Sequence, residues 1–153
     1  MLVLGVDPGQ TNLGYAILRW DGRQAEWVDG GRALPSETNW VEPVSQVDLV
    51  VIEWPSVGPR QAAEAILETR SAAERVATTA ELCNVPVLKV GPAEWRKAVL
   101  GRTRRTADET IDAITARILP RLIRGMPTKL VSHVRDAAGA ALLGCRKHGR
   151  NAA

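Results

Sequence analysis

The chain has 153 residues, 45% of them hydrophobic and 24% charged, the values of a globular domain long enough to bury one sizeable core. No apolar run approaches the ~18 residues of a membrane helix, and the opening MLVLGVDPG has neither a basic leader nor a cleavage site, which argues against a membrane span and a secretory signal. The net charge of +3 is unevenly spread: residues 1–93 hold 7 Lys/Arg against 12 Asp/Glu, whereas residues 94–153 hold 13 against 5. A basic C-terminal third suggests a polyanion partner, with a merely solvated basic surface as the alternative.

LVLGVD (2–7) is a near-continuous apolar run, the pattern of a strand covered on both faces. Pro8 and Gly9 break it. TNLGYAILRW (11–20) reads as a second strand, Asp21-Gly22 as a hairpin signal, and QAEWVDGGRAL (24–34) as the returning strand. Residues 35–46 carry two prolines and little periodicity, so a loop or short helix is expected there.

VDLVVIE (47–53) is another fully apolar strand, ending in a carboxylate. An Ala-rich helix over 61–83 follows, stopped by Asn84 and Pro86, and VPVLKV (85–90) is a short buried strand. Gly91-Pro92 opens a helix that ends at Gly101, ahead of the basic loop RTRRT (102–106). Residues 107–124 show a helical apolar face that Pro120 should kink, and the last helix is expected over 132–147. Cys83 and Cys145 sit in apolar helical contexts without metal spacing, and read as packing thiols in a reducing compartment, the cytoplasm. With no repeat or linker, residues 1–153 form one α/β domain. Its expected core is a mixed five-stranded sheet, three antiparallel strands and then two parallel ones, with helices on both faces.

Asp7 and Glu53 each end a strongly apolar strand, where an unpaired charge costs several kcal/mol. Side by side, the two strands would present both acids at one sheet edge, where ligands bind open α/β sheets. Either acid alone could equally be a cap or an ion-pair partner. His133 and Asp136, three apart, share one face of the last helix, whose AAGAALLG is small enough to press onto a sheet. Asp136 could instead cap the helix or pair with Arg135 or Arg146, and His133 could be a packing residue. Three converging carboxylates repel one another unless a cation neutralises them, and hard oxygen donors favour Mg²⁺ or Mn²⁺ over zinc. Two such ions would serve phosphodiester displacement, with His133 as a ligand or as an acid/base.

VLGVDPGQTNLGYAIL, VVIE, VGPAEWRKAVLG and HVRDAAGAALLG, in that order, resemble the RuvC family of Holliday-junction resolvases over nearly the whole chain. The resemblance implies an RNase H-like fold and a homodimer that cuts four-way DNA junctions symmetrically with Mg²⁺ or Mn²⁺. It also implies that Asp7, Glu53 and Asp136 are the metal-binding acids and that His133 stands where many relatives carry another Asp. The short connection before VVIE looks like that of a compact, phage-type member. Relatives place a wedge aromatic in the loop after the second acid. Here that loop is WPSVGPR, the chain has no Phe, and Trp54 is either the substitute or a core residue beneath the loop. Arg60 on the same loop, and Arg96, Lys97, Arg102, Arg104 and Arg105 beyond it, are the expected DNA-backbone contacts. Other branched DNA and RNA–DNA hybrids are alternative substrates of the same core. The DPGQTN turn also fits an actin-like phosphate-binding ATPase or kinase, which would need a second domain and gives Glu53 no role.

Overall fold

The computed structural model describes residues 1–34, 39–56, 63–101 and 128–148, with the side chains of 128–131 left aside. Five strands form one sheet: β1 (Leu2–Pro8), β2 (Leu13–Trp20), β3 (Ala25–Ala33), β4 (Leu49–Glu53) and β5 (Val87–Val90). Their spatial order is β3-β2-β1-β4-β5, with β1–β2 and β2–β3 antiparallel and β1–β4 and β4–β5 parallel. This is the expected mixed sheet. The helices are α1 (Val41–Ser45), α2 (Ala63–Leu82), α3 (Pro92–Leu100) and α4 (Thr128–His148).

The two-residue period of a strand divides the core into two layers. Leu4 and Val6 of β1, with Val50 and Ile52 of β4, face α1 and α2, where Trp40, Val44, Ala73, Val76 and Ala77 cover them. Val3, Leu49 and Val51 face the other way, against Ala137, Ala140 and Ala141 of α4 and Val99 of α3. Both central strands are therefore dry on both sides, which is why they read as unbroken apolar runs rather than alternating ones. The close seat of α4 depends on glycine. A Cβ on Gly5 would stand 2.0 Å from the Ala137 carbonyl oxygen, and one on Gly144 would stand 2.5 Å from Val51.

Differences from the expected elements lie at their ends. The β2–β3 connection is not a two-residue turn: residues 21–24 form it, with Asp21 Oδ1 accepting from the backbone N–H of Arg23 (2.7 Å) and Gln24 (2.8 Å). Gly22, at φ +103°, supplies the positive φ that such a turn requires. The segment after β3 holds α1, one short helix against α2. Asn84, at φ 56°, ends α2 in the left-handed cap that its sequence position predicts. α4 begins at Thr128 rather than at 132, nothing in KLV opposing helix. The predicted basic loop 102–106 and the helix over 107–124 lie outside the described residues.

Candidate active site

Asp7 follows Val6 on β1, and Glu53 follows Ile52 on β4; Val6 and Ile52 are register partners in the parallel pair. Strand alternation therefore turns both acids toward α4, at the carboxyl end of two adjacent parallel strands. Across the antiparallel pair, Asp7 stands opposite Gly14 of β2. A Cβ on Gly14 would lie 2.3 Å from the backbone carbon of His133, so the bare glycine admits the first described turns of α4 against the sheet edge. That approach brings His133 and Asp136 to the strand-end acids.

Each acid has a partner. His133 Nδ1 lies 2.7 Å from Asp7 Oδ2. Asp136 is 6% exposed and lies 3.6 Å from Arg96 Nη2. Its partner in this ion pair is on α3. Glu53 Oε2 accepts a 2.5 Å hydrogen bond from the indole Nε1 of Trp95. The Glu53 carboxyl is pushed up to about 7, first by burial and then by the charges of Asp7 and Asp136, against the opposing pull of Trp95 and Arg96. The His133 imidazole is raised above its ordinary value chiefly by the hydrogen bond to Asp7, with burial working against it. The acids thus share one electrostatic field, and it is short of positive charge at Glu53.

Among the described residues no three His, Cys, Asp or Glu side chains form a ready-made metal cluster. The donor chemistry nevertheless fits a hard cation: three carboxylates and an imidazole, with the Glu53 carboxyl pushed up by burial and by the charges of Asp7 and Asp136. A cavity of about 300 Å³ opens beside Asp7 and Glu53, walled by Pro8, Trp54, Ile66 and Thr69. Trp54 is half-buried against the α2-side core, and Lys89 Nζ sits 3.7 Å from its ring centroid. It is therefore a wall of the cleft as much as a core residue, held by a cation–π contact. Lys97 is exposed on α3, as a backbone contact requires. Arg96 departs from its expected place among the outward cations, since it turns inward to Asp136. Arg60, Arg102, Arg104 and Arg105 lie outside the described residues.

Two roles are invisible in the sequence. Trp95 is there one more residue of a helix, and Arg96 as an acid's partner is hidden among its basic neighbours. A buried Trp usually finds an acceptor for its one N–H, so the signal existed without its partner's identity.

A curated RuvC crossover junction endodeoxyribonuclease from Halorhodospira halophila is 29% identical over 98% of this chain and 92% of its own length. A second, from Sulfurovum sp., is 38% identical over 55 residues, 33% of this chain and 35% of that protein. Thermus thermophilus RuvC, solved in complex with a Holliday junction substrate, superposes with a TM-score of 0.73 over 97% of this chain and 96% of its own, at 22% identity. The chain is a relative of RuvC. No family model matches it. The likeness to the solved RuvC structure fixes the fold, RNase H-like in outline, and the near-full-length match to the curated relative extends from β1 through α4. Glu53 lines the cleft beside Asp7, a position for which the actin-like alternative gives no role. No helix among the described residues is long and apolar enough to cross a membrane.

Proposed function

We propose that this RuvC relative is a divalent-metal-dependent endonuclease that cuts four-way DNA junctions, working as a homodimer with one site per protomer. The observation that carries the reading is the meeting of Asp7, Glu53, His133 and Asp136 at the carboxyl ends of β1 and β4. The junction as substrate is supported by the names of the curated relatives and by the junction-bound Thermus thermophilus structure. Two Mg²⁺ or Mn²⁺ ions, held by Asp7, Glu53 and Asp136 with His133, would supply an activated water and offset the charge on the leaving 3′ oxygen. The protein's own part is to gather the acids in a cleft, to hold His133 by Nδ1 so that Nε2 is left either to ligate an ion or to exchange a proton with water, and to grip the DNA backbone. Arg60, Lys97, Arg102, Arg104 and Arg105 provide that grip, with Arg96 nearest the acids and Trp54 facing the unstacked bases. The free thiols suit a reducing compartment such as the cytoplasm, and the short β3–β4 connection suits a compact, phage-type member.

The test offers purified protein four-way, three-way, flap and linear DNA and an RNA–DNA hybrid, with Mg²⁺ and with Mn²⁺. Paired symmetric nicks confined to the four-way junction are expected. Asp7→Asn, Glu53→Gln and Asp136→Asn should each abolish cutting while leaving junction binding largely intact. Preference for flaps or for the hybrid would replace the junction reading with another branched-nucleic-acid nuclease. Replacing Arg102, Arg104 and Arg105 together with Ala should weaken binding and flatten its dependence on salt, by up to ~0.9 in log–log slope for each phosphate that is no longer neutralised.

A further inference from the structure

Trp95 is the largest of the fully buried side chains, at 0% exposure, and its only polar atom is spent on Glu53. Its ring rests on Gly139 of α4, where a Cβ would stand 2.5 Å from Cε3 and Cζ3. Gly139 is one helical turn beyond Asp136 and on the same face. One side chain from α3 therefore bears on β4 through a hydrogen bond and on α4 through a notch made for it, and these two elements carry Glu53 and Asp136. The next residue, Arg96, lies 3.6 Å from Asp136 itself.

We infer that Trp95 is a positioning residue: its indole N–H fixes the direction of the Glu53 carboxylate, and its ring sets the distance of the Asp136 turn from β4. Glu53 has three rotatable side-chain torsions and ends a strand, so packing alone leaves its head free to swing. A donor buried on an otherwise apolar face removes that freedom, and it holds Oε2 while leaving Oε1 for a ligand. The same donor stabilises the charged form that a cation needs. For its catalytic consequence this inference rests on the nuclease reading. The hydrogen bond does not.

The test replaces Trp95 with Phe and, separately, with β-(3-benzothienyl)alanine, which keeps the bicyclic ring and lacks the N–H. The analogue should hold Tm near that of the parent, keep junction binding in EDTA unchanged, weaken Mn²⁺ binding about tenfold to a hundredfold in calorimetry, and lower kcat without raising KM. In the metal-free protein, which has five Trp, the Trp95 indole N–H resonance should move on Glu53→Gln, and those of Trp20, Trp27 and Trp40, away from the cleft, should not. If that resonance stays in place, or the analogue binds Mn²⁺ and cuts like the parent, the positioning role is overturned. If the resonance moves and Mn²⁺ binding falls while no nucleic acid is cut even by the parent protein, the positioning role stands and the nuclease reading is what has failed. Should Trp95→Phe not fold, the analogue, with its native ring, still decides the matter.

Discussion

At Gly14 a methyl group would meet backbone rather than a movable side chain, with the His133 carbon at 2.3 Å and its carbonyl oxygen at 2.4 Å. Gly14→Ala must therefore push α4 off the sheet edge. Overpacking of this kind costs ~1–3 kcal/mol, and in a chain of this size each kcal/mol lowers Tm by roughly 2–4 °C. The displaced helix carries His133 away from Asp7, so the imidazole, held above its ordinary value mainly by that hydrogen bond, should titrate closer to an ordinary histidine. NMR titration of His133 beside a melting curve checks both effects. Gly91→Ala is the control: φ is −77° and nothing lies within 4 Å of the added carbon, so Tm should stay within about a degree. A Gly14→Ala protein with an unchanged melting curve and an unchanged His133 titration would show that α4 is not seated by this glycine.

The elements that carry the site are held to one another as well as to the sheet. Arg146 Nη1 donates to the Ala98 carbonyl at 2.6 Å, satisfying one of the carbonyls that the end of α3 leaves without an intrahelical partner. Lys147 and Glu94 pair between the same two helices, but both are close to half-exposed and the pair is worth little in water. Arg146→Ala should therefore lower stability by about 1 kcal/mol, and Lys147→Ala by clearly less; chemical denaturation of both variants compares them. This clasp lies at the far end of α4 from His133, and neither variant should alter the His133 titration. Much of this scale was legible in the chain. Strands β1 and β4 showed themselves by unbroken apolar runs because both their faces are covered, and Asp7 and Glu53 stood out because acids are out of place there. Asn84 announced the end of α2. Partnerships across the fold were not legible. The indole of Trp95 finds Glu53 from 42 residues away, and nothing local in GPAEWRK tells a core tryptophan from one aimed at a carboxylate. Nor does local charge say that Arg96 turns inward while Lys97 turns out.

For the molecule as a whole, the acids make stability depend on pH in a direction that the metal reverses. In the metal-free protein Glu53 keeps its proton to about pH 7, whereas in the unfolded chain it loses it near the ordinary value of 4.5. Below 4.5 both states are protonated and Glu53 contributes no difference. Between about 4.5 and 7 the unfolded chain sheds the proton and the folded one retains it, so stability falls as pH rises, by roughly 3 kcal/mol at most from this group. His133 acts in the same sense: its folded value is raised, so its pairing with Asp7 stabilises fully below about 6.5 and is lost as pH rises through the folded value. Metal-free protein should accordingly melt several degrees higher near pH 5.5 than near pH 8, and Glu53→Gln should remove much of that slope. Divalent metal needs the carboxylates ionised and binds only the folded state, so excess Mn²⁺ should raise Tm strongly at pH 8 and hardly at pH 5. The two curves should therefore converge on acidification. Parallel curves, with the same Mn²⁺ increment at every pH, would mean that the ion binds away from Glu53, and the electrostatic strain at the ends of β1 and β4 would then need another purpose.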